Sequence, residues 1–244
     1  MSNLPEGFLA KLKKDTENSI THQAYKSSKV TVKQMSLRQQ KNIIATAVDG
    51  IQGAVGFAKA INDVILENSD KSDLLVVDKV PILLKLRKLS LGNDIVVEEE
   101  ILDIDRFIKN IETVEPAFKK SETIKRDSIS IGLKIPSLKE ENAILAKCLT
   151  EVEKKENKKT SEAFGVIYLY ELMKYIKTIK IGEDEVDFST LKVAERVQII
   201  ENLPLSIYKQ LSKFFQNITK YDTDLLTVDD KTITIDPTFF DTST

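Results

Sequence analysis

The residues best suited to acid–base chemistry are two runs rich in carboxylates, Glu98–Glu100 and Glu183–Asp187. Hydrolysis of a glycosidic bond needs two carboxylates held on opposite sides of that bond. Both runs lie in polar, turn-like stretches, where no apolar neighbours would raise a carboxyl pKa. We interpret them as solvated surface, and the sequence predicts no catalytic residue.

The other reactive side chains are isolated from one another. His22 is the single histidine and Cys148 the single cysteine, so an intramolecular disulfide is excluded, and we expect neither a Cys/His zinc site nor a Cys–His nucleophile. His22 falls in a polar stretch without a Ser or Asp at a meaningful spacing, and we assign it no catalytic role. Cys148 is predicted to be a small core residue, and no metal ligand set is expected.

Glycine usage argues against a nucleotide site. Eight glycines are present, whereas average usage of about 7% would give roughly 17. The nearest approach to a phosphate-binding loop, residues 50–56, follows a predicted helix rather than a strand and has the wrong spacing. We interpret it as a connection between helices, and the sequence implies no cofactor.

Charge and hydropathy exclude further classes of partner. The chain carries 36 basic and 38 acidic side chains, mixed along its whole length, which does not support nucleic-acid binding. Its apolar runs are far shorter than the roughly 20 residues that span a bilayer, and the N-terminus lacks the apolar core of a secretion signal. We expect a protein made and used in a cytoplasm, without a membrane partner.

Arg87 differs from the other charges because it lies within an otherwise apolar predicted helix. A guanidinium buried without a partner would cost several kcal/mol, so it must find acceptors. The sequence leaves two alternatives open. Arg87 forms an ion pair with an acid such as Asp78, Asp94 or Glu98, or it reaches a carboxylate or backbone carbonyls of a partner subunit.

Two pairs of phenylalanines near the C-terminus are assigned different fates. Phe214 and Phe215 lie on the apolar face of a predicted helix and are expected in the core. Phe239 and Phe240 follow a predicted hairpin and precede a polar tail. That position predicts docking on another chain.

The elements that position these residues follow from apolar periodicity. Helices are predicted over residues 37–49, 53–67, 78–91, 101–118, 138–152 and 162–178, and on both sides of Pro204. Strands are predicted over 29–35, 94–99 and 128–135, as a pair within 179–188, and as a hairpin over 225–235. Ser36 to Gln39 and Ser137 to Glu140 have the spacing of capping boxes. The pattern predicts an α+β fold, mainly α-helical, with small antiparallel β-sheets and hairpins.

The same pattern divides the chain into four segments. Residues 1–28 are predicted to be an N-terminal arm with at most a short helix. Residues 29–100 form an N-terminal strand–helix module, and residues 101–178 a central helix–strand–helix region. Residues 179–244 form a C-terminal helical module with a β-hairpin tail.

Two stretches of residue order resemble a known family. The first is Val30–Ile43 followed by Asp78–Asn93, in which a helix that begins with Asp ends in the pattern Arg-x-x-Ser-x-Gly. The second is Val186–Phe215, followed by the late hairpin and Phe239–Phe240. Together they resemble the baseplate hub proteins of T-even-type contractile-tailed bacteriophages. Members often carry paired cysteines after the Ser-x-Gly element, which suggests a metal-binding knuckle, but here Asp94–Glu100 occupies that place and removes a metal role.

The resemblance implies a non-enzymatic baseplate hub subunit or hub-assembly factor. Such a protein binds other hub and tail proteins in the host cytoplasm, and is part of the virion if it is retained there. The arm, the Arg87 end of its helix and the C-terminal hairpin are expected to make these contacts, with Arg87, Ser90, Phe239 and Phe240 as the partner-binding residues. A homo-oligomer, a carboxylate-dependent tail-associated hydrolase and a generic helical adaptor are left open.

Overall fold

The secondary structure alternates helices with short strands along the chain. A computed structural model describes residues 18–25, 29–46, 50–97, 100–155 and 160–241. The helices in these ranges are α1 (Leu37–Thr46), α2 (Gly50–Glu67), α3 (Lys79–Leu91), α4 (Ile104–Asn110), α5 (Leu138–Lys155), α6 (Thr160–Met173), α7 (Val193–Glu201) and α8 (Leu205–Leu225). The strands are β1 (Ser19–Gln23), β2 (Lys29–Lys33), β3 (Asp94–Val97), β4 (Glu100–Asp103), β5 (Ser121–Arg126), β6 (Ile129–Lys134), β7 (Ile176–Ile181), β8 (Asp184–Asp187), β9 (Thr227–Val228) and β10 (Lys231–Thr232).

The strands of the described residues form small antiparallel sheets. β1 pairs with β2, β3 with β4, and β9 with β10. β5, β6, β7 and β8 form a four-stranded meander, and the hairpin of α5 and α6 is inserted between β6 and β7. The predicted α+β class, with helices dominant and sheets small, is confirmed.

Helix α3 is buried nearly all round and forms the centre of the core. Val80–Leu84, Leu86 and Arg87 are buried. The helix contacts β1, β2, α2, α4 and α8, as well as a C-terminal 3-10 turn, Pro237–Phe240. A helix that is apolar on every side is stable only when other elements surround it. This enclosure brings distant parts of the chain to Arg87.

Both predicted capping boxes are confirmed. Ser36 N–H donates to Gln39 Oε1 at 2.8 Å, and Gln39 N–H donates to Ser36 Oγ at 3.3 Å. Ser137 and Glu140 make the same reciprocal pair ahead of α5, at 2.8 and 3.2 Å. Each box satisfies two amides that have no acceptor within the helix.

The helix predicted over 101–118 is wrong over most of its length. Residues 100–103 form β4, in which Ile101 lies opposite Val96 of β3. Asp103 then caps the short helix α4 by accepting from the N–H of Asp105 at 2.9 Å. The apolar spacing after Ile104 is helical, but residues 100–103 pair with β3 and are therefore in a strand.

The described part of the predicted arm is a strand rather than a helix. Residues 19–23 form β1, which pairs along its whole length with β2. Residues 1–17 and 26–28 lie outside the described residues.

The helix predicted over 162–178 is too long at its C-terminal end. α6 ends at Met173, and the last residues of the predicted helix belong to β7. The predicted boundaries at 100/101 and 178/179 fall within β4 and β7, and the four-segment division stays a prediction.

Candidate functional site

The four residues predicted to contact partners lie close together at one end of α3. Arg87 and Ser90 lie on this helix, and Phe239 and Phe240 lie in the 3-10 turn packed against α1 and α3. Arg87 donates from Nε to the carbonyl oxygen of Phe239 at 3.0 Å and from Nη1 to that of Gly92 at 3.2 Å. Its guanidinium carbon is 5.7 Å from the centroid of the Phe239 ring. Arg87 thus binds backbone carbonyls, but those of its own chain.

The ion-pair alternative for Arg87 is wrong for Asp78 and Asp94. Among the described residues no carboxylate lies within ion-pair distance of the guanidinium, and Glu98 is outside them. Burial lowers the pKa of Arg87, and the charge of Asp94 partly opposes that shift from a longer distance. Asp78 instead accepts hydrogen bonds from the backbone N–H groups of Tyr25 at 2.7 Å and Leu75 at 2.9 Å.

The other three residues are also satisfied within the chain. Ser90 Oγ accepts from the N–H of Met35 and donates to the carbonyl of Leu86, each at 2.7 Å. The rings of Phe239 and Phe240 are buried and pack edge to face with centroids 5.0 Å apart. A partner could touch these rings only if the C-terminal turn separated from α3, so their partner-binding role stays a prediction.

A cavity of about 310 Å³ opens beside Arg87. We call it the Arg87 cavity. It is lined by Arg87, Ile95, Val96, Val97, Thr232, Ile233, Thr234, Asp236, Thr238 and Phe239. Thus β3 lines one part of it, and the segment from β10 to the 3-10 turn, residues 232–239, lines another. Within the described chain, β3 has a strand partner only on its β4 side, and Arg87 Nη2 has no hydrogen-bond partner.

A second polar cluster, centred on Glu141, lies inside the helical core. Glu141 accepts from Lys79 and Lys174 at 2.6 Å each and from Asn62 Nδ2 at 2.7 Å. Lys174 also pairs with Glu171 at 2.6 Å. Two acids and two lysines therefore neutralise one another where α2, α3, α5 and α6 meet.

The electrostatics of this cluster oppose proton transfer. Burial alone would raise the pKa of Glu141, but Lys79 and Lys174 outweigh it and hold the pKa well below its usual range. Burial would also lower the pKa of Lys174, yet its acidic neighbours raise it well above the ordinary value. The adjoining cavity, of about 110 Å³, is small beside typical ligand pockets of about 300 Å³ or more. The cluster can join helices, but it is poorly suited to acid–base catalysis.

Among the described acidic residues, only Asp222 on α8 has a pKa that rises into the neutral range. Burial raises its pKa from 3.8 to about 7, and Lys79 partly opposes the shift. Its Oδ1 atom is buried and has no hydrogen-bond partner. A carboxyl group in this position is neutral below that pH, which avoids an unpaired buried charge.

His22 is buried rather than part of a polar surface, contrary to the sequence interpretation. It lies on β1, and burial together with the charge of Lys85 lowers its pKa from 6.5 to about 4. Lys85 Nζ lies 3.3 Å from His22 Nδ1, and because lysine can only donate, Nδ1 must accept. The ring proton is then on Nε2, which lies 4.0 Å from Asp78.

Where they are described, the acidic runs considered as hydrolytic candidates are exposed and belong to different sheets. Residues 183–187 occupy an exposed turn and the exposed strand β8. Glu100 is exposed at the start of β4, and residues 98–99 are outside the described ranges. Cys148 is buried on α5 as predicted, and burial raises the pKa of its thiol to about 11.

Sequence reasoning missed Glu141 and Lys174, although a signal was present for each. Glu141 lies three residues from Leu138 and from Ile144, on the predicted apolar stripe of α5. Lys174 interrupts the apolar run from Leu172 to Ile176. A charge at a stripe position predicts a buried partner of opposite sign. Periodicity alone does not say which distant residue supplies it.

The described ranges contain no group of three or more His, Cys, Asp or Glu residues that could hold a metal ion. Nor does any helix there have both the length and the apolar character needed to cross a membrane.

Comparison with known proteins gives a family match over most of the chain. The family model described as T4 bacteriophage base plate protein matches residues 16–232. No curated protein and no solved structure matches the chain significantly.

Proposed function

The chain belongs to the T4 bacteriophage base plate protein family, and we propose that it is a non-enzymatic baseplate hub subunit or hub-assembly factor. The family match over residues 16–232 carries the proposal. In this role the chain binds other hub and tail proteins in the host cytoplasm while the baseplate is built. It stays in the virion if it is a subunit.

The fate of the buried charges supports a binding role over an enzymatic one. Both oxygens of Glu141 are occupied by basic or amide donors, and Arg87 binds backbone carbonyls. Groups held in this way stabilise one arrangement of helices and are not free to exchange protons with a substrate. The outer surface is then what the protein offers to partners.

One exposed apolar pair is a candidate docking surface for another tail protein. Val96 and Ile101 lie directly opposite each other on the β3–β4 hairpin, and they are 42% and 71% exposed. We call this pair the hairpin patch. Apolar side chains paired on one face of an exposed hairpin favour burial against a partner.

Complex formation tests the proposal. The purified chain is mixed with each hub and tail protein of the same phage and analysed by size-exclusion chromatography with light scattering. We expect a stable complex with at least one of them. Failure to form any complex would overturn the proposal.

A matched pair of variants tests the hairpin patch. Ile101→Asp should weaken the complex, whereas Leu205→Asp, at a side chain that is 67% exposed, should not. Both positions are open to solvent, so neither change should unfold the chain. Equal effects of the two variants would exclude the patch as the docking surface.

Two further measurements distinguish a subunit from an assembly factor and a non-enzymatic protein from a hydrolase. Mass spectrometry of purified virions separates a subunit, present at a few copies per particle, from an assembly factor, which is absent. A turbidity assay on peptidoglycan should show no clearing. Clearing that Glu183→Ala abolishes would overturn the non-enzymatic role and favour the hydrolase.

A further inference from the structure

We infer that the Arg87 cavity accepts a carboxylate side chain carried on an extended segment of a partner protein. The inference rests on the proposed function, because it takes the partner to be another tail protein. It adds the chemistry by which that partner is recognised.

The guanidinium supplies the preference for an anion. Arg87 is only 4% exposed and lines the cavity. Within the described chain its Nε and Nη1 atoms bind carbonyls, and Nη2 binds nothing. A desolvated guanidinium with an open Nη2 is suited to a carboxylate, whose oxygen can accept a charge-assisted hydrogen bond from it.

The acids already close to the cavity leave Arg87 unpaired. Asp236 lines the cavity, but its Oδ1 accepts from Thr238 N–H at 2.8 Å, Thr238 Oγ1 at 2.5 Å and Phe239 N–H at 3.3 Å. These bonds hold Asp236 at the start of the 3-10 turn. Asp94 acts on Arg87 only from beyond ion-pair distance. The position for a counter-charge is open to a group from another chain.

The cavity walls supply the preference for an extended segment. β3 has no strand partner on the side away from β4 within the described chain. Ile233 and Thr234, which also line the cavity, have no regular secondary structure. Extended peptides bind such edges through backbone hydrogen bonds and place alternate side chains in pockets. At about 310 Å³ the cavity suits one side chain and a short piece of backbone better than a helix.

Peptide titration of the full chain, labelled with ¹⁵N, tests the inference. The probes are acetyl-TVEVT-amide, the same peptide with Gln in place of Glu, and sodium acetate. The Glu peptide should shift the amide signals of residues 95–97 and 232–236. The Gln peptide should bind about tenfold more weakly, since it lacks the charge-assisted bond. Equal binding of the two peptides, or no binding of either, would overturn the inference, as would acetate binding as tightly as the Glu peptide.

Two variants of one exposed residue provide the matched control. Thr234 lines the cavity and is exposed, so substitution should leave the fold intact. Thr234→Glu should weaken binding of the Glu peptide by repulsion, and Thr234→Lys should preserve or strengthen it. Equal affinities of the two variants for the Glu peptide would contradict a carboxylate site.

The outcomes separate this inference from the proposed function. If the chain binds tail proteins but the Glu and Gln peptides bind alike, the cavity inference fails and the baseplate role stands. If the Glu peptide binds with the expected dependence on Thr234 but no tail protein does, the cavity site stands and the hub role fails.

Discussion

Arg87 donates a hydrogen bond from Nε to the carbonyl oxygen of Phe239 at 3.0 Å, although 152 positions separate the two residues along the chain. The ring of Phe239 also lies against the guanidinium. Gln40 on α1 adds a second anchor by donating to the carbonyl of Phe240 at 2.6 Å. The C-terminal turn is therefore part of the core around α3.

Truncation of Phe240 should strongly destabilise the protein. Its ring is fully buried and packs edge to face against Phe57, with centroids 6.3 Å apart. Phe240→Ala should lower the free energy of unfolding by about 3–5 kcal/mol, measured by urea denaturation. The control, Leu205→Ala at a largely exposed side chain, should change it by no more than about 0.5 kcal/mol. A loss below about 1 kcal/mol for Phe240→Ala would contradict the packing described.

Neutralising Glu141 should be costly because it leaves buried lysines without their counter-charge. Glu141→Gln should lower the free energy of unfolding by about 3–5 kcal/mol. Asp224→Asn, which removes a similar contact to the exposed Lys220, should cost less than about 1 kcal/mol. Thermal and urea unfolding measure both, and similar losses would show that the Glu141 cluster is not effectively buried.

His22 should make the protein less stable as the pH falls. Its pKa is about 4 in the folded protein against 6.5 in the unfolded chain. Between these values the unfolded chain binds a proton that the folded protein does not, so acid favours unfolding. The full loss in the free energy of unfolding is about 3 kcal/mol. The measurement uses the Asp222→Asn variant, because the titration of Asp222 would oppose the effect of His22. Its free energy of unfolding in urea should decrease as the pH falls from about 6.5 to 4.

Asp222 should make the protein less stable as the pH rises, the opposite of His22, over much of the same pH range. Its pKa is raised from 3.8 to about 7, so the folded protein holds a proton that the unfolded chain has lost. Stability from this group is present below pH 3.8 and is lost as the pH rises through about 7. His22→Asn should therefore lose stability as the pH rises, the reverse of Asp222→Asn. Slopes of the same sign in the two variants would contradict these assignments.

Cys148 should be unreactive in the folded protein. It is buried on α5, and burial raises the pKa of its thiol to about 11. The thiolate is the reactive form, so Ellman's reagent should label the native chain very slowly and the denatured chain rapidly. Release of one equivalent of thionitrobenzoate within the mixing time of the native protein would contradict this burial.

Local sequence determined much of the secondary structure. The capping pairs at Ser36 and Ser137, and the turn at Asp229–Asp230, were identifiable because each depends on residues only a few positions apart. Asp229 and Asp230 both have positive φ, as their place in a tight hairpin turn allows. Prediction failed around Ile101, where pairing with β3 overrode a helical pattern.

The residue order also pointed to the baseplate family, and the match over residues 16–232 confirmed it. Only the tertiary structure decided the partners of Arg87, the burial of His22 and the charges around Glu141. The physical reason is that burial and charge pairing depend on which distant elements meet. The sequence required Arg87 to find acceptors, but only the packing of the last turn against α3 made Phe239 one of them.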